Sequence, residues 1–531
     1  MAQTAIFGIN SNLDTGSIID NLVKLQRTPI NIVEAKRSLE EAKLLSFQDL
    51  RNRLQTFKGA VNTLNTEARF LATKGGFSNN NATDTNSVVS LSTSSQATSG
   101  TFSLTVNNLA RESKLVSEGF ASTSAAITLG TINITVGGTT TGITIDSTNN
   151  TVDGLRLAIN NSGLNVNATF LNDGNSTNPL RLVLSGANTG VDNSVSIGSG
   201  SPVSFTETQS AQNANFILDG VSVTKSGNVV SDVIEGAIIT LESIGSGAVT
   251  LSSDTDAIKE KVQAYVDGYN ELMLHLNQEL ALEAETGETG VLFANFTVQN
   301  LQQSLRDTVS SQILGVTGDF SYLSQIGIRT LSNGTLSVND GDLSDALAAD
   351  VANVSQLFSS SSHTTSSAVT FVGFTTKTQP GTYNVQVSNG VPQLAASGTT
   401  TFIDAVGSGN FFAGAEGTDA EGLNFRISSL SDGSYGSITL AIGVAQITNR
   451  ILANLTDASL QGPLEAEIDT ATESIKDFDE TVTQLEERIV LFEENLRERF
   501  TNLEISLGRL NSQKAAFDSS IAGIQALFSG K

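Results

Sequence analysis

The chain has no cysteine, no tryptophan, two histidines, two methionines and six prolines in 531 residues. Without Cys there is no disulfide framework, no thiol nucleophile and no Cys-based zinc site. Two histidines, His275 and His363, leave almost no material for imidazole acid–base chemistry. Positive charge is scarce: 29 Lys and Arg stand against 54 Asp and Glu, a formal net charge of −25. Such a surface repels phosphate backbones, because nucleic-acid affinity depends on neutralising phosphates, so nucleic acid is not an expected partner. No run approaches the roughly 18–20 apolar residues of a membrane span. No basic residue precedes Lys24; this excludes an ordinary cleaved signal and leaves either the cytosol or an export route that needs none. A hydrophobic fraction of 39% still supports packed cores.

Catalytic constellations are missing too. His275 has only Glu271 and Glu279 one helical turn away, which reads as a structural histidine. His363 sits in the run SSSSHTTSS, a linker by composition. Residues 339–345, NDGDLSD, resemble a calcium loop only faintly, lacking the alternate ligands and the terminal Glu; an Asp-rich helix start explains them better. There is no glycine-rich phosphate loop and no H-E-x-x-H. Neither an enzyme nor a cofactor or metal site is expected.

What is present is heptad patterning at both ends. Phe47, Leu50, Leu54, Phe57, Val61, Leu64, Ala68 and Leu71 step by three and four, with Gly75-Gly76 as the expected helix stop. At the other end Phe478, Val482, Leu485, Ile489, Phe492 and Leu496 run in heptads, and Phe500, Leu503, Leu507 and Leu510 resume after a stutter. A helix over 465–528 would be roughly 96 Å long and must lie against another, for which the 47–71 seam is the obvious candidate. Leu13, Ile18, Ile19 and Leu22 before that seam, and Ile521, Ile524, Leu527 and Phe528 after the other, have no evident partner. They read as terminal assembly arms.

Between the ends the composition turns to Ser, Thr, Asn and Gly with period-two alternation, as in Ile132/Ile134/Val136 and Leu180/Leu182/Leu184. Helices are expected over 152–159, 254–283, 297–314 and 342–358, with a hairpin at Asn333-Gly334 having positive φ at both residues. The stretches Gly100-Thr-Phe-Ser-Leu-Thr-Val106 and Gly381-Thr-Tyr-Asn-Val-Gln-Val387 share one pattern and predict two β-domains opened by the same kind of strand.

The fold class is therefore α+β and multidomain. Long N- and C-terminal helices form a coiled-coil-like leg, and antiparallel β-rich domains are inserted between them. The expected domains are a flexible segment 1–46; a helical leg of 47–75 with 254–364 and 446–509; and a β-domain of 76–120 with 210–253. An inserted β-domain 121–209, a further β-domain 365–445 and a flexible segment 510–531 complete the chain.

The motifs also carry a resemblance. Leu13-Asp14-Thr15-Gly16-Ser17-Ile18-Ile19-Asp20-Asn21-Leu22, followed by Pro29-Ile30, resembles the N-terminal signature of the flagellar filament-capping family, also called hook-associated protein 2. Ser99–Val106 with Leu109-Ala110 is similar to its first strand motif. Thr131–Ile134 through Ile159-Asn160 and Val166 is similar to the hook-associated "IN" module. Phe216–Val221, Asp232–Gly236, Gly327-Ile328, Asn333–Leu336 and Leu357-Phe358 resemble later segments, in order.

The resemblance implies an extracellular cap at the distal tip of the filament, a ring-like homo-oligomer that helps exported flagellin fold and insert. Implied partners are flagellin, further copies of the chain, hook–filament junction proteins, an export chaperone and the type III export apparatus. A hook-junction or filament subunit is the alternative of the same kind. A surface adhesin, whose Ser/Thr/Asn-rich β-domains meet host glycan or mucin, is the alternative of another kind.

Overall fold

The computed structural model describes residues 11, 13–80, 87–282, 287–457 and 462–529, with the side chains of 526–529 outside that set. It separates into two compact units. One comprises Met1–Asn65, Val262–Leu343 and Gln356–Lys531, the other Thr66–Lys261 with Ser344–Ser355.

The described chain begins as helix. Asp14 caps α1 (Thr15–Gln26), its carboxylate accepting from the Ser17 N–H at 3.0 Å. Pro29 lies in the first turn of α2 (Thr28–Asn62). Lacking an N–H, proline starts a helix well but cannot continue one, so α1 and α2 are separate. The expected division between a flexible 1–46 and a leg starting at Phe47 is corrected here: α2 runs through that point unbroken. Residues 1–10 and 12 lie outside the described residues. The expected helix stop is corrected as well. α2 ends at Asn62, a single turn α3 (Glu67–Phe70) follows, Leu71 lies beyond it, and Gly75-Gly76 fall inside strand β1 (Thr73–Asn79). Gly75 serves packing there, since a Cβ would stand 2.7 Å from the Leu91 Cβ.

β1, β2 (Val89–Thr93) and β3 (Gly100–Asn108) open a two-layer sandwich that the chain completes only later. Next come β4 (Lys114–Phe120), β5 (Gly130–Val136), β6 (Thr139–Ile145), α4 (Val152–Asn160), β7 (Val166–Asn172), β8 (Leu180–Gly186), β9 (Val195–Ile197) and β10 (Phe205–Gln209). They form a domain of their own, with sheets ordered β10-β4-β8-β7 and β6-β5-β9. Ile132 and Ile134 from one sheet, Leu182 and Leu184 from the other, and Leu155 and Ile159 from α4 fill its core. The expected start of this insertion at 121 is corrected to about 112. β4 is an interior strand paired to both β8 and β10. The stems are Arg111 and Gln212, which exchange two backbone hydrogen bonds of 2.8 and 3.0 Å.

β11 (Ala214–Leu218), β12 (Val221–Lys225), β13 (Val229–Ile234), β14 (Ala237–Leu241) and β15 (Gly245–Ser253) complete the first sandwich, with layers β1-β15-β3-β11-β12 and β13-β14-β2. Leu104, Val106, Phe216 and Val249 of one layer meet Val89, Val230, Ile239 and Leu241 of the other. Alternating apolar residues put one face of each strand into this core.

The chain returns to helix in α5 (Thr255–Glu279) and α6 (Phe296–Ser310), then makes the hairpin β16 (Ile328–Thr330) and β17 (Leu336–Val338). Its turn differs from the expected one. Only Gly334 has positive φ, 84°, and Asn333 instead accepts from the Thr335 N–H and hydroxyl at 3.1 and 2.7 Å. The helix expected over 342–358 is two, α7 (Asp340–Ala349) and α8 (Val351–Phe358). The Asp350 carboxylate accepts from the Asn353 N–H at 2.9 Å and so restarts the second. Asn339 caps α7, accepting from the N–H groups of Gly341 and Asp342.

A second sandwich follows: β18 (Ser360–Thr364), β19 (Val369–Gly373), β20 (Gly381–Ser388), β21 (Val391–Ala396), β22 (Ile403–Asp404), β23 (Val406–Ser408), β24 (Phe411–Ala413), β25 (Asn424–Ile427) and β26 (Gly433–Ile442). Its layers are β18-β26-β20-β21-β22 and β19-β25-β24-β23. The linker reading of the Ser-rich run is corrected: it forms β18, with His363 opposite Thr439, and the domain starts at Ser360 rather than 365. α9 (Val444–Thr456) and the 67-residue α10 (Pro463–Ser529) end the chain.

The corrected stem gives a direct test. A fragment of residues 112–212 is expected to fold cooperatively, with a sigmoidal urea transition by circular dichroism. A fragment of 121–209 lacks β4 from the middle of its sheet and is expected to show none. A cooperative transition in the shorter piece would return the boundary to 121.

Candidate functional site

The residues expected to do the assembling lie on α1, α2 and α10, which belong to one unit. α2 and α10 run antiparallel in a fixed register. Arg27 pairs with Glu486 at 3.2 Å, Arg37 with Asp479 at 2.6 Å and Arg51 with Glu465 at 3.3 Å, so each step up α2 matches a step down α10. Solvent-reached pairs contribute about 0–1 kcal/mol each, and although Arg51–Glu465 is partly buried, their value here is as register marks. The register corrects the expected pairing of the two seams. Val482, Leu485, Ile489, Phe492 and Leu496 lie opposite α1 and the first half of α2, not opposite 47–71. Ile19 and Ile30 are buried in that contact, and Ile489 with them. Loosely periodic residues before Phe47 are thus the partner of the C-terminal heptads. Two helices bury only one stripe between them, so Val482, Leu485, Phe492 and Leu496 stay half-buried.

Phe47, Leu50, Leu54, Phe57, Val61 and Leu64 are all buried, against other partners. The Phe57 ring lies 5.3 Å from that of Tyr265 and 6.4 Å from that of Tyr269 on α5, and Tyr265 meets Phe358 of α8 edge-on at 6.1 Å. The Tyr265 hydroxyl is 3.0 Å from Thr448 Oγ1 on α9, and the Tyr269 hydroxyl donates to the Gly334 carbonyl at 3.1 Å. Burial pushes both phenols well above their ordinary range. Leu71, placed on the seam by spacing, falls in the other unit beyond α3.

His275 is 10% exposed on α5, with Nε2 3.6 Å from Asp49 Oδ2. Burial chiefly, and Arg53 next, hold its pKa below 6.5 against the opposing pull of Glu279, Asp49 and Glu271. Among the described residues no three His, Asp or Glu side chains are grouped to hold a metal ion.

The terminal arms divide. Ile19 is buried in the leg, whereas Leu13, Ile18, Leu22, Ile521 and Ile524 are exposed. Leu527 and Phe528 are helical, but their side chains lie outside the described residues. The pairing reaches Glu504, which is buried and accepts from the Ser11 N–H at 3.2 Å and from the Ser11 hydroxyl. From that point on, Leu503, Leu510, Phe517, Ile521 and Ile524 stand 37–65% exposed at heptad spacing, with Leu507 half-buried and Lys514 in the same row. A second row, Leu25 and Ile32 with Val490 and Leu491, is exposed on the flank of the leg. The heptad count stopped at Leu510 and missed Phe517, although its spacing continues the pattern.

Two family models match the chain. The flagellar hook-associated protein 2 N-terminus covers residues 11–113 and its C-terminus covers 211–512, which leaves out the insertion between the Arg111 and Gln212 stems. The chain is 27% identical over 388 residues to the B-type flagellar hook-associated protein 2 of Pseudomonas aeruginosa, spanning 66% of this chain and 79% of that one. It is 26% identical over 387 residues to the flagellar hook-associated protein 2 of Escherichia coli K12, spanning 67% and 80%. A crystal structure of the D1–D2–D3 domains of the Escherichia coli flagellar cap protein aligns over 59% of this chain and 89% of that one, at 26% identity and a TM-score of 0.48.

Two measurements check the leg. Amide exchange in the purified protein is expected to be slow over α10 from Leu464 to Glu504 and fast over 506–525; uniform protection to the end would mean the exposed row is covered. Replacing Ile19 by Asp should speed exchange in α1 and around Leu496 together, since removing a buried Ile alone costs about 2–5 kcal/mol. The second measurement concerns pH. With the folded-state pKa of His275 below 6.5, the unfolded chain binds the extra proton first, so stability is full above pH 6.5 and falls as the pH drops through the folded pKa. The His275→Gln variant should lose that slope below about pH 6.5 in urea midpoints.

Proposed function

As the chain belongs to the flagellar hook-associated protein 2 family, we propose that it is the structural cap at the distal end of the bacterial flagellar filament. It is extracellular there, associates with further copies of itself, and promotes insertion and polymerisation of exported flagellin. The observation that carries this reading is the match of both family models to the two ends of one helical pairing, α1–α2 with α10. The work is binding rather than catalysis. Support comes from the absence of Cys, the scarcity of His and a leg whose conspicuous surface is apolar and helical. An exposed amphipathic row of this kind binds helices of partner chains well. On this reading the row over 503–524 is the contact with the filament end and its junction proteins, and an export chaperone covers it beforehand. The junction-subunit and adhesin alternatives rest on no feature that the cap leaves unexplained.

Deletion of the gene in the source strain should give few or no filaments and unpolymerised flagellin in the medium, and the full-length gene should restore filaments. A gene truncated after Ser506 should yield a protein with unchanged β-sheet content that does not restore them. Normal filaments in the deletion strain would overturn the cap; restoration by the truncated gene would overturn the role of the row alone.

A further inference from the structure

The two sandwiches share one strand plan. In each, an edge strand that follows a helix, β1 or β18, lies beside the strand that leads back to helix, β15 or β26. Next comes the strand that begins Gly-Thr-aromatic, β3 or β20. The plans part at β23, which adds to β24 where the corresponding β13 is the edge of its layer. Each sandwich is closed by a backbone bond at its stem, from the Asp254 N–H to the Ala72 carbonyl at 2.8 Å and from the Gly443 N–H to the Ser359 carbonyl at 2.9 Å. Seven residues past Asp254 and past Gly443, the helix that leaves the sandwich carries a cation that reaches back to main-chain carbonyls. Lys261 of α5 donates to the carbonyls of Arg69, Phe70 and Leu71 at 2.6, 3.2 and 3.3 Å. Arg450 of α9 donates through Nη1 to the Thr378 carbonyl at 3.2 Å and through Nη2 to the Thr375 carbonyl at 3.1 Å.

A domain joined to its host by a stem alone swings about it, and such motion is the default at small polar junctions. The stem strands β18 and β26 belong to one layer of the second sandwich, whereas Arg450 reaches the loop 374–380 that leaves β19, the edge of the other layer. Stem and cation thus hold both layers to one helix, and rotation about the stem would break the second hold. The grip suits arginine in particular. The two arms of the planar fork take two carbonyls while the guanidinium carbon lies 5.2 Å from the centre of the Phe374 ring. The gripped loop is itself fixed: Thr378 is buried, its hydroxyl accepting from the Thr375 N–H at 3.1 Å and donating to the Glu421 carbonyl at 2.7 Å. Behind the grip, Ile447 of α9 packs against the sandwich core and Thr448 meets the Tyr265 hydroxyl. The Tyr265 ring meets Phe358, the residue before the stem, so one aromatic side chain touches both the entry to the sandwich and the exit from it. The segment after α6 adds a further hold, since Gly315 leaves no room for a Cβ beside the Leu440 carbonyl of β26.

We propose that Arg450 is a positioning residue that locks the second sandwich at one angle to the helical unit, so that sandwich and leg move as a single arm. The lock takes neutral carbonyls in a chain whose acids outnumber its bases 54 to 29. A charge–dipole bond acts only at contact, so salt, with a Debye length of about 3 Å at 1 M, weakens it less than an ion pair. On the cap reading a fixed arm gives every associated copy the same outline. That use rests on the reading; the lock does not.

The chain has no cysteine, so spin labels at Gln55→Cys on α2 and Thr370→Cys on β19, both exposed, are the only two in the full-length protein. Pulsed electron paramagnetic resonance should give one narrow distance distribution, unchanged in 1 M sodium chloride. Arg450→Met should at least double its width, and Arg450→Lys, which keeps the charge without the fork, should fall between. Amide exchange in Arg450→Met should quicken over 375–379 and stay slow in β20 and β25, which shows the variant folded and released. A width unchanged in Arg450→Met, or a parent distribution already as broad, overturns the lock. Broadening of the parent by salt would assign the attachment to ion pairs and likewise overturns it. Loss of protection in β20 and β25 would make Arg450 a support of the sandwich's own fold rather than of its angle, again overturning it. Normal filaments from a gene carrying Arg450→Met, with the width doubled, would overturn only the use of the arm in the cap. Failure of the full-length parent gene to restore filaments would sink the cap reading and leave the distance result standing.

Discussion

Everything in the helical unit depends on the pairing of the two chain ends. α10 spans roughly 100 Å, and a helix of that length, polar on most of its surface, is held in water mainly by what it packs against. Its partners are α1 and α2, more than four hundred residues away along the chain. Closing a flexible loop of that size costs little more than closing a shorter one, since each doubling adds only about 0.6 kcal/mol. The ion pairs from Arg27–Glu486 to Arg51–Glu465 keep one register over that contact. A slip by one residue would turn Ile19, Ile30 and Ile489 out of the seam.

That long connection is tolerable because it is built of closed modules. Each stem is a backbone contact: Ala72 with Asp254, Arg111 with Gln212, Ser359 with Gly443. A stem of this kind lets a domain be inserted while the host strands or helices continue in register on either side. Each module has a core of its own, around Phe216, around Ile134 and Leu182, and around Phe425 and Leu440. The Phe57–Tyr265–Phe358 knot then joins the helices that lie between modules in sequence, and its two buried hydroxyls each have a partner. A buried hydroxyl without one would cost about 1–3 kcal/mol, so these bonds tie α5 to α9 and to the β16–β17 turn as firmly as the rings do.

Local periodicity revealed the elements and misplaced their limits. The strands at 102–106, 132–136 and 383–387 and the helix closing near Gly163 stand where alternation and capping placed them. The strand 114–120 alternates as well as its neighbours do, and nothing local distinguishes the sheet it joins. Gly75-Gly76 looked like a helix stop because glycine serves both helix ends and tight strand packing, and only the nearby Leu91 side chain separates the two uses. The Ser-rich run at 359–367 offered no apolar face, yet an edge strand needs only backbone partners, which Thr439 and its neighbours on β26 supply.

The sequence by itself determined the class of this protein: helical ends, antiparallel β inserts, a chain with no cysteine and two histidines, and the family signature in its first thirty residues. Those properties follow from residue type and from spacings of two, three and four, which are local. Tertiary structure alone decided which seam meets which, because a heptad pattern states that a partner exists and not where along the chain it lies. It also decided that β13 is an edge and β24 is not. That difference is one short strand, β23, which pairs with β24 as a hairpin through Gly409-Asn410, and no pattern within β13 or β24 records it.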